Sequence, residues 1–436
     1  MRDFEPVGIV SLGCPKNIVD SERLLGNLLK NEVSITFDIN EARSVIINTC
    51  AFLQSAREEA ESVIKEFVEK KRKGSIRKIV VSGCYPSLSG KSLLYRFPEI
   101  DAITGTNDLH SIVNALSGEE KIILSKDFEM LVPPRLQITL PHYEYLKIAD
   151  GCNHRCAFCL IPKIKGDVHS FPIEFLVNEA QSLAENGVKE LILIAQDTTQ
   201  YGIDIYGKNS LLLLLEKLEK VSGIEWIRIL YTYPSEISKP LVEYIATKDN
   251  KVVPYIDVPI QHISDRILKR MNRIGGSKLV RDLVYLLKSH GIAVRTTVIT
   301  GFPGETEKDF KELLDFVEEV KFEHLGAFAF SREPGTESFD MDGQLDEKVK
   351  QNRLRQIEEL QHKINMEKFK SMAGKKIPVI ADYFDETLNA FIGRTIFDAP
   401  EIDDFIVLKG DIEEGKIANA VITGFNENNL FGEVKK

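Results

Sequence analysis

Three thiols stand within eight residues at Cys152, Cys156 and Cys159, in the run Cys-Asn-His-Arg-Cys-Ala-Phe-Cys, a Cys-x3-Cys-x2-Cys spacing. Thiolates are soft ligands, and three on one short loop suit an iron-sulfur cluster. A four-iron cube with three protein ligands keeps one iron open to another molecule. His154 lies inside the loop as an alternative fourth ligand, but a closed site would serve only electron transfer or structure. The other three cysteines, Cys14, Cys50 and Cys84, are far apart in the chain. Singly, each reads as a small buried hydrophobe. Together they say more, because each lies one or two residues past a short apolar, β-branched run, and three thiols delivered to one sheet edge can converge on one metal group.

Those runs are Val7 to Leu12, Ser44 to Asn48 and Lys78 to Ser82, separated by helical patterns such as Ile18 to Leu29 and Ala56 to Lys71. Alternating β and α elements predict a doubly wound parallel sheet over residues 1–125. A polar stretch, Lys126 to Gln137 with Pro133-Pro134, reads as a linker. A second βα series follows over 138–345, with strands expected at Tyr145 to Ala149, Glu190 to Ala195, Trp226 to Tyr231, Tyr255 to Val258, Val294 to Thr300 and Leu325 to Phe330. Six such units make a partial (β/α)6 barrel whose active-site residues belong on the loops after the strands. The first of those loops carries the cysteine triple. Residues 346–372 form a charged run without glycine or proline, a connecting helix. From 373 to 436, short alternating runs between turn-rich clusters predict a small antiparallel β-barrel. The fold class is therefore α/β with an all-β C-terminal module.

Composition narrows the setting. The chain has 436 residues, 43% hydrophobic and 28% charged, as in ordinary globular proteins. No apolar stretch approaches the roughly 18 residues that a membrane span needs, and the first fifteen residues lack the layout of a secretory signal. A cytoplasmic protein without membrane attachment is expected. Six cysteines are too few for a disulfide scaffold in a chain of this size. The formal charge of −10 argues against broad attachment to nucleic acid.

The three-cysteine loop after the first strand of a partial barrel resembles the radical S-adenosylmethionine superfamily. In that superfamily the nucleotide's methionyl amine and carboxylate occupy the open iron, and cluster reduction yields a 5'-deoxyadenosyl radical. Phe158, before the last cysteine, matches its usual aromatic and is implied to lie near the nucleotide. Leu12-Gly-Cys14-Pro-Lys-Asn17, Asn48-Thr-Cys50-Ala-Phe52 and Ser82-Gly-Cys84 are similar to the N-terminal domain of its methylthiotransferases, where three cysteines hold an auxiliary cluster. Ala195-Gln-Asp-Thr-Thr-Gln-Tyr-Gly202, Pro259-Ile-Gln-His262 with Met271-Asn-Arg273, and Gly301-Phe-Pro-Gly-Glu-Thr306 also match, and the C-terminal module resembles the TRAM domain. Within the family, Cys14-Pro-Lys-Asn17 and Asp398-Ala-Pro-Glu-Ile-Asp403 are similar to the RimO-type branch, which modifies an aspartate of small-subunit ribosomal protein twelve. The transfer-RNA branch usually has Gln-Met-Asn after the first cysteine.

The resemblance implies two 4Fe-4S clusters, on Cys14, Cys50 and Cys84 and on Cys152, Cys156 and Cys159, with S-adenosylmethionine near Phe158, Gln196, Asp197, Gly301 and Glu305. Read without the family, Gly301 to Glu305 is a strand-to-helix turn with Glu305 as a helix cap. The implied partners are the ribosomal protein, free or in the subunit, and an electron donor protein. A monomer is expected, with no direct nucleic-acid substrate. From Gly374 onward seven basic residues face twelve acidic ones, a net of −5, which favours a basic protein over RNA. The rivals are a transfer-RNA methylthiotransferase and a non-catalytic iron-sulfur protein. Where the family commonly continues with arginines after Ile161-Pro162, this chain has Lys163-Ile-Lys165-Gly, which leaves local substrate contacts open. Ile263 and Asp404 stand where glycines are usual.

Overall fold

The computed structural model describes residues 2–125 and 134–435. Most of the linker expected at 126–137 lies outside the described residues. The described chain divides into two compact units. One comprises 1–138, 149–171 and 333–336; the other comprises 139–148, 172–332 and 337–436. This division cuts across the chain-order boundaries above. The loop carrying Cys152, Cys156 and Cys159 belongs with the N-terminal unit, and the C-terminal barrel belongs with the central strands.

In the first unit, β1 (Val7–Ser11), β2 (Ser44–Thr49), β3 (Lys78–Gly83), β4 (Ala102–Thr104) and β5 (Ile122–Ile123) pair in that order, all parallel. The interior strand β2 is buried along its whole length, as expected of a strand covered on both faces. Val45 and Ile47 pack with Ala60, Ile64 and Phe67 of the helix Gln54–Arg72, whereas Ile46 packs with Leu24 and Leu28 of the helix Pro15–Lys30. Ile35 bridges Val7 on the free side of β1, so the chain first turns back past β1 and only then crosses to β2. The topology therefore reverses between β1 and β2, and ligands of open α/β sheets bind at such a point, beyond the strands' carboxyl ends.

In the second unit, β6 (Tyr143–Lys147), β7 (Glu190–Ile194), β8 (Trp226–Ile229), β9 (Val252–Asp257), β10 (Ala293–Thr300) and β11 (His324–Ala329) form one open parallel sheet. The expected strands are all present. β9 begins three residues early because Pro254, a poor strand residue, does not stop the run begun at Val252 and Val253. The helix Glu347–Met372 places Phe369 and Met372 in the core of the closed C-terminal barrel formed by β12 (Lys376–Asp385), β13 (Ala390–Thr395), β14 (Phe405–Gly410), β15 (Ile417–Phe425) and β16 (Asn429–Val434).

The connection between β13 and β14 runs back to the N-terminal ends of the parallel strands. Arg228 donates to the Ile396 carbonyl at 3.1 Å, Tyr255 donates to Asp403 at 2.7 Å, Tyr143 donates to Glu401 at 3.1 Å, and His324 lies 3.2 Å from Asp398. Arg394 of β13 joins Glu190 at 2.6 Å and Asp382 at 2.9 Å, and Arg228 completes the group on Glu190 at 2.8 Å. This corrects the charge argument for the C-terminal module. Asp382 and Asp398 are buried and Asp403 and Asp404 half-buried, all engaged inside the unit. Among the described residues, seven of its acids and five of its bases are exposed, a surface balance of −2.

Candidate metal centres

The paired register of β1, β2 and β3 aligns Ser11 with Asn48 and Asn48 with Ser82, so the three strands end at one level. Cys14 then precedes the helix Pro15–Lys30 as its N-cap, Cys50 directly follows β2, and Cys84 opens the helix Cys84–Ser89. All three lie at the same edge, two of them flanking the topological reversal. Gly13, with φ of +101°, brings the first loop against the second: a Cβ there would lie 2.6 Å from the Cys50 Cβ and 3.4 Å from its Sγ. Only glycine accommodates both the left-handed backbone and that approach. Asn17 fixes the loop by donating to the Leu12 carbonyl at 2.7 Å, and Asn48 donates to the Asn17 carbonyl and to Ser21, each at 2.9 Å.

The three thiols sense one another. Burial pushes the Cys84 thiol far up, Lys165 pulls it down, and Cys14 and Cys50 push it up again. The Cys50 thiol is also raised, by burial first, with Cys14 contributing. Three thiols gathered at one edge, one of them buried and two half-buried, gain from a metal group that holds them ionised together, so this donor set fits a thiolate-ligated cluster.

Cys152, Cys156 and Cys159 occupy a loop closed by the Cys152 amide donating to the Gly166 carbonyl at 3.2 Å and the Cys159 amide donating to the Cys156 carbonyl at 3.0 Å. Gly151, with φ of +75°, permits that closure: a Cβ there would meet the Asp167 carbonyl oxygen at 1.9 Å. The Ile161 amide donates to the Cys159 sulfur at 3.4 Å, a bond that favours a thiolate. The short helix Ile161–Lys165 follows, and Leu160 and Ile164 join the core that β2, β3 and the helix Gln54–Arg72 share. All six cysteines thus belong to one compact unit. Phe158 is half-buried in the same unit.

Gln196, Asp197, Gly301 and Glu305 belong to the second unit. Asp197 is buried and caps the turn Thr198–Gln200 by accepting from the Thr199 amide at 2.9 Å. Glu305 is buried too. Its carboxylate accepts from the Gly301 amide at 2.7 Å and the Phe302 amide at 3.2 Å, and pairs with Arg353 at 2.8 Å. Burial raises this carboxyl to about 7 despite Arg353 and those amides. Thr306, not Glu305, caps the following helix, in a reciprocal capping box with Asp309. Glu305 therefore shapes the Gly301 loop.

Sequence reasoning did not single out Asp20, Asp150 or Arg353, and named Asn17 only as the end of a motif. Asp150, two residues before the first cysteine of the triple, was signalled only by proximity; Arg353 had no signal within a charged helix. Lys165, in the run that replaces the family's usual arginines, is buried between Asp20 and Asp150. His324, Asp398 and Asp404 also approach one another closely enough to chelate an ion. Lys368 on Asp404 and Arg295 on the adjacent Asp403 already supply the counter-charge there.

Residues 6–105 match Uncharacterized protein family UPF0004, 146–317 the Radical SAM superfamily, and 373–434 the TRAM domain. The chain is 42% identical to the ribosomal protein uS12 methylthiotransferase RimO of Lachnoclostridium phytofermentans, covering 97% of this chain and 98% of that one. It is 41% identical to the RimO of Clostridioides difficile, covering 98% of each. Among solved structures, the radical S-adenosylmethionine methyltransferase TsrM from Kitasatospora setae, with cobalamin and a [4Fe-4S] cluster bound, matches with a TM-score of 0.52 at 14% identity, covering 76% of each chain, a likeness of fold alone. With relatives above 40% identity from end to end, the chain belongs to the RimO family of ribosomal protein uS12 methylthiotransferases.

Proposed function

We propose that this chain attaches a methylthio group to the β-carbon of an aspartate of ribosomal protein uS12, using the Cys152, Cys156, Cys159 group and the Cys14, Cys50, Cys84 group as ligands of two 4Fe-4S clusters. The single observation that carries the reading is the placement of all six thiols in one compact unit, in a chain whose relatives match throughout. The target carbon-hydrogen bond has no useful acidity, so no side-chain base could ionise it at neutral pH. When bound, S-adenosylmethionine and the clusters supply the radical that removes hydrogen, the sulfur and the methyl group.

The protein's own residues bind and orient. Gly13 and Gly151 set the two cysteine loops, and the Ile161 amide favours an ionised Cys159. Phe158, Gln196 and Asp197 contact the nucleotide in this reading. Gly301 contributes backbone to it, and Glu305 contributes by holding the Gly301 loop rather than by direct contact. The chain works in the cytoplasm as a monomer served by an electron donor protein.

Anaerobic reconstitution tests the assignment. About eight irons per chain are expected, and replacing Cys152, Cys156 and Cys159 together by alanine leaves about four and abolishes reductive cleavage of S-adenosylmethionine. Cleavage surviving in that variant would overturn the radical-cluster assignment. Mass spectrometry of uS12 incubated with the loaded enzyme tests the substrate; activity on bulk transfer RNA with none on uS12 would displace it.

A further inference from the structure

Lys165 ends the short helix that follows the second cysteine group, and Leu160 and Ile164 of that segment are anchored in the core beneath β2 and β3. The anchoring turns Lys165 inward, where its side chain is 2% exposed. Its Nζ lies 3.0 Å from one Asp150 oxygen and 3.1 Å from the other, and 3.5 Å from Asp20. Asp150 lies two residues before Cys152, and Asp20 is on the helix that begins beside Cys14. The helix that Lys165 ends packs against the short helix Cys84–Ser89, which Cys84 opens. A buried ammonium is costly unless paired, and a hydrocarbon side chain would fill the same core at less expense. Its placement beside both cysteine groups calls for an electrostatic reason.

We propose that Lys165 is a positioning residue for the cluster that Cys14, Cys50 and Cys84 hold: fixed by Asp20 and Asp150, it is the buried cation that raises this cluster's reduction potential. The inference rests on the cluster assignment made above. Reduction adds one negative charge to the cluster, so a cation held nearby in a medium of low dielectric favours the reduced form, and a nearby carboxylate opposes it. Lys165 and Asp20 should therefore act with opposite sign.

The experiment is a dithionite redox titration of the full chain, followed by electron paramagnetic resonance. It is done with Cys152, Cys156 and Cys159 replaced by alanine so that one cluster remains. Lys165→Met should shift the midpoint potential downward, Asp20→Asn upward, and Lys165→Arg should leave it near the parent value. A merely structural role would not give opposite signs. If Lys165→Met does not accumulate, Asp20→Asn decides: an upward shift supports the proposal, and no shift or a downward one overturns it. Equal potentials in all variants overturn it as well. A parent protein that binds no cluster would instead refute the ligand assignment itself, an outcome distinct from an unresponsive potential.

Discussion

Each unit buries a group of charges, and the two groups are built differently. In the first, Lys165 is shared by two carboxylates, Asp20 and Asp150, on the segments that lead to the two cysteine groups. In the second, Arg394 and Arg228 face Glu190 and Asp382, while Arg295, Lys368 and His324 face Asp398, Asp403 and Asp404. There cations and carboxylates match, and most contacts cross between the C-terminal barrel or its β13–β14 connection and the parallel strands. The difference teaches that a buried charge is not by itself a functional sign. A matched network that joins two elements is an architectural device, whereas a cation shared by two carboxylates beside two groups of thiols is placed to act on the charge those thiols carry.

The contrast can be broken most forcefully at Arg394. Replacing it by methionine strands Glu190 and Asp382 without their shared cation and should cost about 3–5 kcal/mol of stability, read from urea unfolding. The midpoint potential of the Cys14, Cys50, Cys84 cluster should not move. A potential change matching that of Lys165→Met would erase the distinction.

His262 offers a smaller effect of the opposite kind, a buried group kept neutral. Burial lowers its pKa to about 3, with Asp309 opposing and Arg353 and Arg266 assisting. Its contribution is therefore complete above the unfolded value of 6.5 and is lost as pH falls toward 3. Glu305, shifted upward, contributes in the reverse direction, so the comparison is with His262→Asn. Between pH 6.5 and about 5, the cluster-free wild type should lose roughly 2 kcal/mol more than that variant, by urea titration at each pH. Equal losses would show that the imidazole is charged in the folded protein.

Removing the capping hydroxyl with Thr306→Ala should cost about 1 kcal/mol, measured by thermal melting, with no change in iron content. Least of all, Lys278→Ala breaks an exposed pair with Asp282 and should change stability by about 0.5 kcal/mol or less. A larger loss there would mean that surface charges rival the buried network.

Much of this architecture was legible because parallel strands buried on both faces are written as unbroken β-branched runs. Val45, Ile46 and Ile47 announce β2 directly, and the cysteines could be placed at its edge by counting onward. The reversal between β1 and β2 was not legible, since it depends on the single bridge of Ile35 to Val7 rather than on a strand-like run. The destination of Asp398 and Asp403 was equally hidden. A sequence count treats every carboxylate as solvent-facing, and only the return of the β13–β14 connection shows these two turned inward. Glu305 was placed at the right turn, but its engagement with Arg353 spans 48 residues, beyond any local pattern.

The β13–β14 connection has a consequence for anyone exchanging C-terminal modules between relatives. Because Asp398, Glu401 and Asp403 supply partners for side chains rooted in the parallel strands, a transplanted barrel must bring a matching loop with it. A cut made cleanly after Met372 would deprive Tyr255 and Arg295 of acceptors and Arg228 of one of its two, so the natural seam for such a chimera runs through the charge network instead of along the chain.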